Sequence, residues 1–175
     1  ISSAYITTLN DESQILALLA THFVYLISQG RMVPRQFQLQ STDAFSQGLD
    51  SLIDSGTGSG KTLCQILPNL LFPQPSSMTI SPLKRLQILQ AAEFESWGIR
   101  TICINEDTPK DPELWERIKN GGFQHLIVQP EQLRTYKGHL PKFATLLIMP
   151  SFTKTIARVH IDEVHNHSTV GVPNY

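Results

Sequence analysis

One glycine-rich run in the sequence has the composition of a phosphate-binding loop, Gly56-Thr57-Gly58-Ser59-Gly60-Lys61-Thr62. Glycines let backbone N–H groups approach phosphate oxygens closely, and the N-terminus of a helix adds partial positive charge. In such a loop Lys61 supplies a mobile charge for the β- and γ-phosphates, and Thr62 offers its hydroxyl to Mg²⁺. Ser55 stands where the strict pattern has glycine. The run predicts a phosphate site; the alternative is a glycine-rich turn that only begins a helix.

Two carboxylates end the apolar segment Val159-His160-Ile161, because Asp162 and Glu163 follow it directly. Open parallel sheets bind ligands at the carboxyl ends of their strands. In an NTPase the first such carboxylate holds Mg²⁺, and the second polarises the attacking water. Asp162 and Glu163 suit these two roles. The alternative is a solvated acidic turn after a strand.

Histidines and cysteines do not form a recognisable metal site in the sequence. His160 and His165 are five residues apart in a strand context, whereas zinc hydrolases place two histidines at i and i+4 on a helix. The histidines at positions 22, 125 and 139 are expected at the surface or at its boundary. Cys64 and Cys103 lie in separate apolar segments, which predicts buried free thiols in a reducing compartment.

The apolar pattern along the chain predicts the elements that position these sites. Strands are predicted at residues 51–53, 78–80, 101–104, 125–128 and 157–161. Helices are predicted at residues 11–27, 42–47, 63–71, 83–97, 112–120 and 140–149. Apolar strands that alternate with helices form a parallel sheet covered on both faces. We therefore predict an α/β fold of three layers, α/β/α, with a mainly parallel sheet and an N-terminal helical extension over residues 1–30.

Length and charge limit the classes of protein that remain. The 175 residues suit one domain, and 41% hydrophobic residues indicate a folded rather than a disordered chain. No apolar run approaches the roughly 18 residues of a membrane span, so no membrane partner is expected. With 14 Lys and Arg residues against 15 Asp and Glu, the net charge of −1 gives no general attraction to nucleic acid. Contacts to phosphate must therefore come from the local placement of basic residues.

The two candidate sites and three further segments resemble the first RecA-like domain of superfamily 2 helicases of the DEAD/DEAH type, and most closely the RecQ-like group. Residues 56–62 resemble motif I of that family, and Asp162-Glu163-Val164-His165 resembles motif II. Arg35-Gln36-Phe37-Gln38 is similar to the adenine-recognition motif of RecQ proteins, and Gln38 precedes Lys61 by 23 residues, a spacing similar to the family's. The resemblance implies a RecA-like, P-loop NTPase domain over residues 31–175.

The resemblance implies roles for individual residues. ATP would be bound by Arg35, Gln38, Gly56, Thr57, Gly58, Ser59, Gly60, Lys61 and Thr62. Gln38 would read the adenine edge through its amide. Mg²⁺ would be held by Thr62 and Asp162. The residues implied in catalysis are Lys61, Asp162, Glu163 and His165.

Two loops that follow strands are implied to hold a nucleic-acid backbone. Ser81-Pro82-Leu83 resembles motif Ia, and Gln129-Pro130 begins a segment that resembles motif Ib. Lys84 and Arg85 directly follow motif Ia; they would strengthen the contact or form a solvated helix start. The implied partner is single-stranded or forked DNA, and the implied location is the nucleus or another intracellular reducing compartment.

The sequence departs from the family pattern after motif II. It stops at Tyr175, without the family's Ser-Ala-Thr motif and second RecA-like lobe, so the domain is expected to be incomplete. The resemblance implies the ATP-binding lobe of an ATP-dependent 3′-5′ DNA helicase. The alternative is a fragment that binds nucleotide and nucleic acid without unwinding. A small-molecule kinase is disfavoured, because such enzymes do not need Asp-Glu-x-His after a strand.

Overall fold

A computed structural model of the chain describes residues 3–56, 58–135, 138 and 140–162. The chain divides into two compact units, Ile1–Pro73 and Gln74–Tyr175, where length alone suggested a single domain. The predicted boundary after residue 30 does not coincide with this division, and it stays a prediction. Each candidate phosphate or acidic site lies within one unit.

The first unit is helical in its described part. Its helices are α1 (Ser3–Ile6), α2 (Asp11–Ile27), α3 (Gln36–Ser46) and α4 (Thr62–Leu71). α2 begins where the sequence predicts, because the Asn10 side chain accepts a hydrogen bond of 2.9 Å from the Ser13 N–H. Two acidic residues in the first turn, Asp11 and Glu12, also favour the helix there. α2, α3 and α4 pack against one another.

α2 buries its small side chains and exposes its large ones. Ala17, Ala20 and Val24 are buried, whereas Ile15 and Leu18 are more than half exposed. An amphipathic helix usually turns its large apolar residues inward. Periodicity therefore located the helix but did not tell which face is packed. Among the described residues, no helix combines the length and apolar character needed to cross a bilayer.

The segment before the glycine-rich run is not a strand, so the strand predicted at residues 51–53 is wrong. Residues 49–56 have no regular secondary structure, and Leu52 is 85% exposed. Three apolar residues favour extended backbone, but a strand also needs a hydrogen-bonded neighbour and burial. In the described part of the chain, all strands lie within residues 76–161. The predicted helix at residues 42–47 is also longer, because α3 already begins at Gln36.

The second unit is built on a parallel sheet. Its strands are β1 (Ser76–Ile80), β2 (Thr101–Ile104), β3 (His125–Val128) and β4 (Ile156–Ile161), in the order β2-β3-β1-β4. Its helices are α5 (Lys84–Ser96), α6 (Pro112–Lys119), α7 (Lys142–Leu147) and α8 (Pro150–Thr153). The helix predicted at residues 140–149 is thus shorter, because α7 covers Lys142–Leu147, and α8 is a further helix beyond the predicted range. Pro150 begins α8, because proline lacks the N–H that a continuing helix needs but fits a first turn.

Helices cover both faces of this sheet. Met78 of β1 pairs with Leu126 of β3, and their face packs against buried residues of α6, α7 and α8, namely Trp115, Ile118, Phe143, Leu146 and Phe152. Side chains of the next residues point to the opposite face. There the ring of Phe94 from α5 stacks on His125 with 4.0 Å between centroids. These features confirm the predicted α/β fold with a parallel sheet.

Candidate functional site

The glycine-rich run leads into the N-terminus of α4, which begins at Thr62. Gly58 and Gly60 have φ angles of +78° and +84°, a left-handed conformation that glycine adopts without steric cost. The hydroxyls of Ser55 and Ser59 are 2.6 Å apart across the loop. The run is therefore a tight turn at a helix N-terminus, a position at which backbone N–H groups can bind an anion.

Lys61 folds back over this turn. Its Nζ donates to the backbone carbonyl of Ser55 at 2.6 Å and to that of Gly56 at 3.3 Å. A hydrogen bond from an ammonium group to a phosphate oxygen is stronger than one to a neutral carbonyl, because both partners are charged. The lysine is thus held at the loop by partners that a phosphate group can replace. Thr57, also predicted to bind nucleotide, lies outside the described residues.

Gln38 joins the start of α3 to the same loop. Its side chain is 3% exposed, and its Nε2 donates to the Gly60 carbonyl at 2.8 Å. Its Oε1 accepts from the backbone N–H of Arg35 at 2.6 Å. A Cβ placed on Gly60 would lie 2.9 Å from Gln38 Nε2, so a larger residue there would require the amide or the loop to shift. Arg35, the other residue of the predicted adenine motif, is exposed.

The contact between Gln38 and Gly60 was not predicted from the sequence, which assigned Gln38 to the adenine edge alone. The amide has a further N–H and a further lone pair beyond the two bonds that the structure assigns to it. Adenine recognition is therefore chemically compatible with a second task, the positioning of the loop carbonyl. The residues are 22 positions apart, and only the packing of α3 against α4 brings them together.

The first predicted carboxylate, Asp162, lies at the carboxyl end of β4 in the second unit. Its backbone N–H donates to the Ile80 carbonyl at 3.0 Å, which extends the pairing of β4 with β1 by one residue. Its Oδ2 accepts a short hydrogen bond from Gln90 Nε2 of α5. Sequence reasoning missed Gln90, because 72 residues separate it from Asp162 and no local pattern marks it. Glu163 and His165 lie outside the described residues.

Ser81, the first residue of the predicted motif Ia, is fully buried at the carboxyl end of β1. Its N–H donates to the Val128 carbonyl at 3.0 Å, and its own carbonyl accepts from Gln87 Nε2 at 2.7 Å. Within the described residues its hydroxyl has no hydrogen-bond partner, as is also true of Gln129 Oε1 at the end of β3. Pro82 and Pro130 are half-buried. The two predicted backbone-binding loops thus lie side by side, because β1 and β3 are neighbours.

Lys84 is engaged by two carboxylates. Its Nζ donates to Asp107 at 2.8 Å and also to Glu106, both in the loop after β2. Hydrogen bonds to Asp107 and then to Glu106 raise the pKa of Lys84. Two negative groups beside one ammonium group oppose the approach of a phosphate backbone, whereas Arg85 is exposed. The sequence did not predict this cluster, since 22 residues separate Lys84 from Glu106.

His125 is fully buried, so its predicted position at the surface or boundary is wrong. Its ring lies between two hydroxyls, with Nδ1 2.6 Å from Ser77 Oγ and Nε2 3.1 Å from Thr79 Oγ1. Burial, and next the charges of His160 and Arg158, lower the pKa of His125 well below its ordinary value. The neutral ring satisfies its polar atoms inside the sheet, which explains why histidine is tolerated there.

The remaining predictions on histidines and cysteines have different outcomes. His22 is exposed, and His139 lies outside the described residues. Within the described ranges, no group of three histidine, cysteine or acidic side chains is placed to hold a metal ion. Cys64 and Cys103 are free thiols, as predicted, but only Cys64 is buried and Cys103 is half-buried; desolvation raises the pKa of each to about 11. Both thiols are therefore protonated and unreactive near neutral pH.

Comparison with known proteins identifies the class of protein that this fold and these sites define. A model of the DEAD/DEAH box helicase family matches residues 35–173. The chain therefore belongs to the DEAD/DEAH box helicase family. The match begins at Arg35, includes the phosphate loop and Asp162, and leaves α1 and α2 outside.

The relatives confirm the resemblance to the RecQ-like group. The chain is 33% identical over 135 residues to a putative ATP-dependent DNA helicase Q1 of Caenorhabditis elegans, which covers 75% of this chain and 21% of that protein. It is 31% identical over 103 residues to the ATP-dependent DNA helicase RecQ of Pasteurella multocida, covering 58% of this chain and 16% of the relative. A DEAD-box ATP-dependent RNA helicase of Arabidopsis thaliana is 29% identical over 121 residues. The chain spans about a fifth of the length of the first of these relatives.

Proposed function

We propose that the chain is the ATP-binding part of a RecQ-like DNA helicase, which hydrolyses ATP with Mg²⁺ and moves 3′ to 5′ on DNA. The observation that carries the proposal is the bond of the buried Gln38 amide to the Gly60 carbonyl at 2.8 Å. It joins an adenine-recognition motif to a phosphate loop in one small unit. A nucleotide that contacts both would have its base and its phosphates positioned together.

The residues of the loop fit a nucleotide polyphosphate. Gly58 and Gly60 carry no Cβ, and this lets the backbone of such a loop approach phosphate oxygens closely. In the proposed complex Lys61 exchanges the Ser55 and Gly56 carbonyls for β- and γ-phosphate oxygens, and so neutralises charge where it develops. Bound Mg²⁺ would supply further charge neutralisation, and Thr62 at the start of α4 offers a hydroxyl ligand for it.

Asp162, Glu163 and His165 complete the proposed chemistry. Gln90 donates to Asp162 Oδ2 and so orients this carboxylate at the end of β4. Glu163 follows it in the chain and in this proposal polarises the attacking water, and His165 is a further proposed catalytic residue. Nucleotide hydrolysis needs these groups only for the reacting phosphate, so their loss should change turnover more than binding.

Single-stranded or forked DNA is the proposed partner, held by the loops at Ser81-Pro82 and Gln129-Pro130 and by Arg85. Adjacent loops at the ends of β1 and β3 support this part of the proposal. The nucleus or another reducing compartment is the proposed location, in keeping with two free thiols.

Replacement of Lys61 tests the nucleotide site. Lys61→Ala should abolish binding of a fluorescent ATP analogue, because it removes the charge at the phosphates and leaves the buried residues of α4 untouched. Lys110→Ala is the matched control, since Lys110 is an exposed lysine outside the loop. Equal affinity of the Lys61→Ala variant and the original chain would refute the assignment of the phosphate loop.

Direction of movement is tested with a protein in which this chain is combined with a second RecA-like lobe. Strand separation should be seen on a duplex with a 3′ single-stranded tail and not on one with a 5′ tail, and Lys61→Ala should abolish it. Preference for a 5′ tail would contradict the proposed direction, while activity on RNA duplexes alone would contradict DNA as the substrate.

A further inference from the structure

The Ser55 hydroxyl is a group at the phosphate loop to which the proposed function gives no role. Ser55 stands where the strict phosphate-loop pattern has glycine. Among the described residues other than glycine, Gln29 alone has a positive φ, so the backbone at Ser55 accepts a side chain without strain. Ser55 is half-buried, and its hydroxyl is hydrogen-bonded to that of Ser59 at 2.6 Å. Glycine at this position would supply the same carbonyl but could not form the bond to Ser59.

The bond between these hydroxyls belongs to a conformation in which the loop binds its own polar groups. Lys61 Nζ donates to the carbonyls of Ser55 and Gly56, and the backbone N–H of Ser59 donates to the Gly56 carbonyl at 3.2 Å. An ammonium group and backbone N–H groups are what such a loop presents to phosphate oxygens. Because the hydroxyl and the carbonyl of Ser55 belong to one residue, the bond to Ser59 also keeps that carbonyl within reach of Lys61 Nζ.

We infer that Ser55 is a positioning residue that lowers the affinity of the loop for nucleotide, because its bond to Ser59 stabilises the conformation in which Lys61 is bonded to loop carbonyls. The inference rests on the proposed function, since it concerns the same phosphate site. Nucleotide binds through the fraction of molecules in which these bonds are broken, and the observed affinity is reduced in proportion to that fraction. One neutral hydrogen bond changes such an equilibrium about fivefold.

The bond from Gln38 to the Gly60 carbonyl acts on a different part of the loop. It holds the last glycine before Lys61 and involves neither serine hydroxyl nor Lys61 Nζ. It can therefore persist when Lys61 turns to a phosphate group, whereas the bonds of Lys61 to the Ser55 and Gly56 carbonyls cannot.

Binding kinetics of N-methylanthraniloyl-ATP to the 175-residue chain test the inference. Ser55→Ala removes the hydroxyl but keeps the Cβ and the carbonyl, and it should bind the analogue about fivefold more tightly. The gain should lie in the association rate, because the complex no longer contains the bond and its dissociation does not depend on it. Ser55→Thr keeps a hydroxyl and should bind like the original chain. Ser51→Ala is the matched control, because Ser51 is an exposed serine of the same irregular segment.

Ser59→Ala removes the other partner of the same bond. It should raise the association rate about as much as Ser55→Ala does, and the double variant should associate no faster than either single variant. Additive effects of the two substitutions would show that the hydroxyls act separately, which overturns the inference. Circular dichroism verifies that the variants fold.

The outcomes separate this inference from the proposed function. If neither the original chain nor Ser55→Ala binds the analogue, the assignment of the phosphate loop fails and the inference fails with it. If the original chain binds and Ser55→Ala binds equally well or more weakly, the inference alone is overturned. A gain that lies in the dissociation rate, or one that Ser55→Thr shares, also overturns it, because the bond to Ser59 would then not be its cause.

Discussion

The phosphate loop and the carboxyl edge of the parallel sheet differ in how far apart in sequence their interacting residues lie. In the loop, Lys61 contacts the carbonyls of Ser55 and Gly56, which are five and six residues away. At the sheet edge, Asp162 contacts Gln90 across 72 residues, and Lys84 contacts Asp107 across 23. The motif that is short in sequence is also compact in space, so its chemistry can be predicted from residue types alone. The partners at the sheet edge depend on which strands are neighbours.

The two regions also differ in how accessible their predicted binding residues are to a ligand. Lys61 lies at a surface turn in front of a helix N-terminus, where a ligand can replace its carbonyl partners. Ser81, predicted to touch nucleic acid, is fully buried, and Lys84 is occupied by two carboxylates. Ser81 and Lys84, which are predicted to bind nucleic acid, are therefore less accessible to a ligand than Lys61, which is predicted to bind nucleotide. Four predictions test this difference.

The largest effect is expected from Gly60→Ala. A Cβ there would lie 2.9 Å from Gln38 Nε2 at a φ of +84°, so the Gln38 amide or the loop must shift, and affinity for ATP should fall by on the order of 100-fold. Gly48→Ala is the control, because Gly48 has a φ of +72° but nothing within 4 Å of the added Cβ. Both variants should lose similar stability in urea unfolding, and only Gly60→Ala should lose nucleotide in a titration. Equal affinities would mean that the loop is not preorganised by Gln38.

The buried His125 makes the second unit sensitive to acid. Its pKa in the folded chain is below the ordinary 6.5, mainly through burial, so below pH 6.5 the unfolded chain binds a proton that the folded chain does not. The free energy of unfolding should therefore fall with decreasing pH, by at most about 1.4 kcal/mol per pH unit from this residue.

Urea unfolding at several pH values between 7 and 5 measures this loss, and His125→Gln should flatten the slope. His22→Gln is the control, because His22 is exposed and lies in the first unit. A slope that does not change in His125→Gln would assign the acid sensitivity to other groups.

Gln38→Ala separates adenine recognition from support of the loop. Loss of the bond to the Gly60 carbonyl should weaken all nucleotides, whereas loss of an adenine contact should weaken ATP about tenfold more than GTP. Gln40→Ala is the matched control, since Gln40 is an exposed residue of the same helix α3. Parallel titrations with ATP and GTP give the ratio. If the ratio of ATP affinity to GTP affinity does not change, Gln38 supports the loop but does not recognise adenine.

The smallest effect is expected from Glu106→Gln combined with Asp107→Asn. The change frees Lys84 for phosphate and should increase affinity for single-stranded DNA about threefold. The plot of log affinity against log salt should steepen by about 0.7, as one more phosphate is neutralised. Glu116→Gln, which frees Lys119 on α6, is the control. If anisotropy titrations with labelled oligonucleotide show no change, Lys84 does not face the nucleic acid.

Several elements could be predicted from the sequence, because their causes are local. α2 has the predicted bounds, since Asn10 caps its start and apolar residues recur at helical spacing. β2 and β3 also have the predicted bounds, as short apolar segments before and after turns. The turn before α4 could be predicted for the same reason, because Gly58 and Gly60 favour a tight turn there; its binding of phosphate stays a prediction.

The tertiary structure determined which of these locally encoded segments contact one another. Burial of His125 between Ser77 and Thr79 follows from the pairing of β1 with β3, which no local pattern encodes. The apolar segment at residues 51–53 lacks a partner strand and stays irregular. α2 turns Ala17 and Ala20 rather than its leucines toward its neighbours. Backbone propensity and capping act within a few residues, whereas burial and strand pairing depend on contacts between residues far apart in the chain.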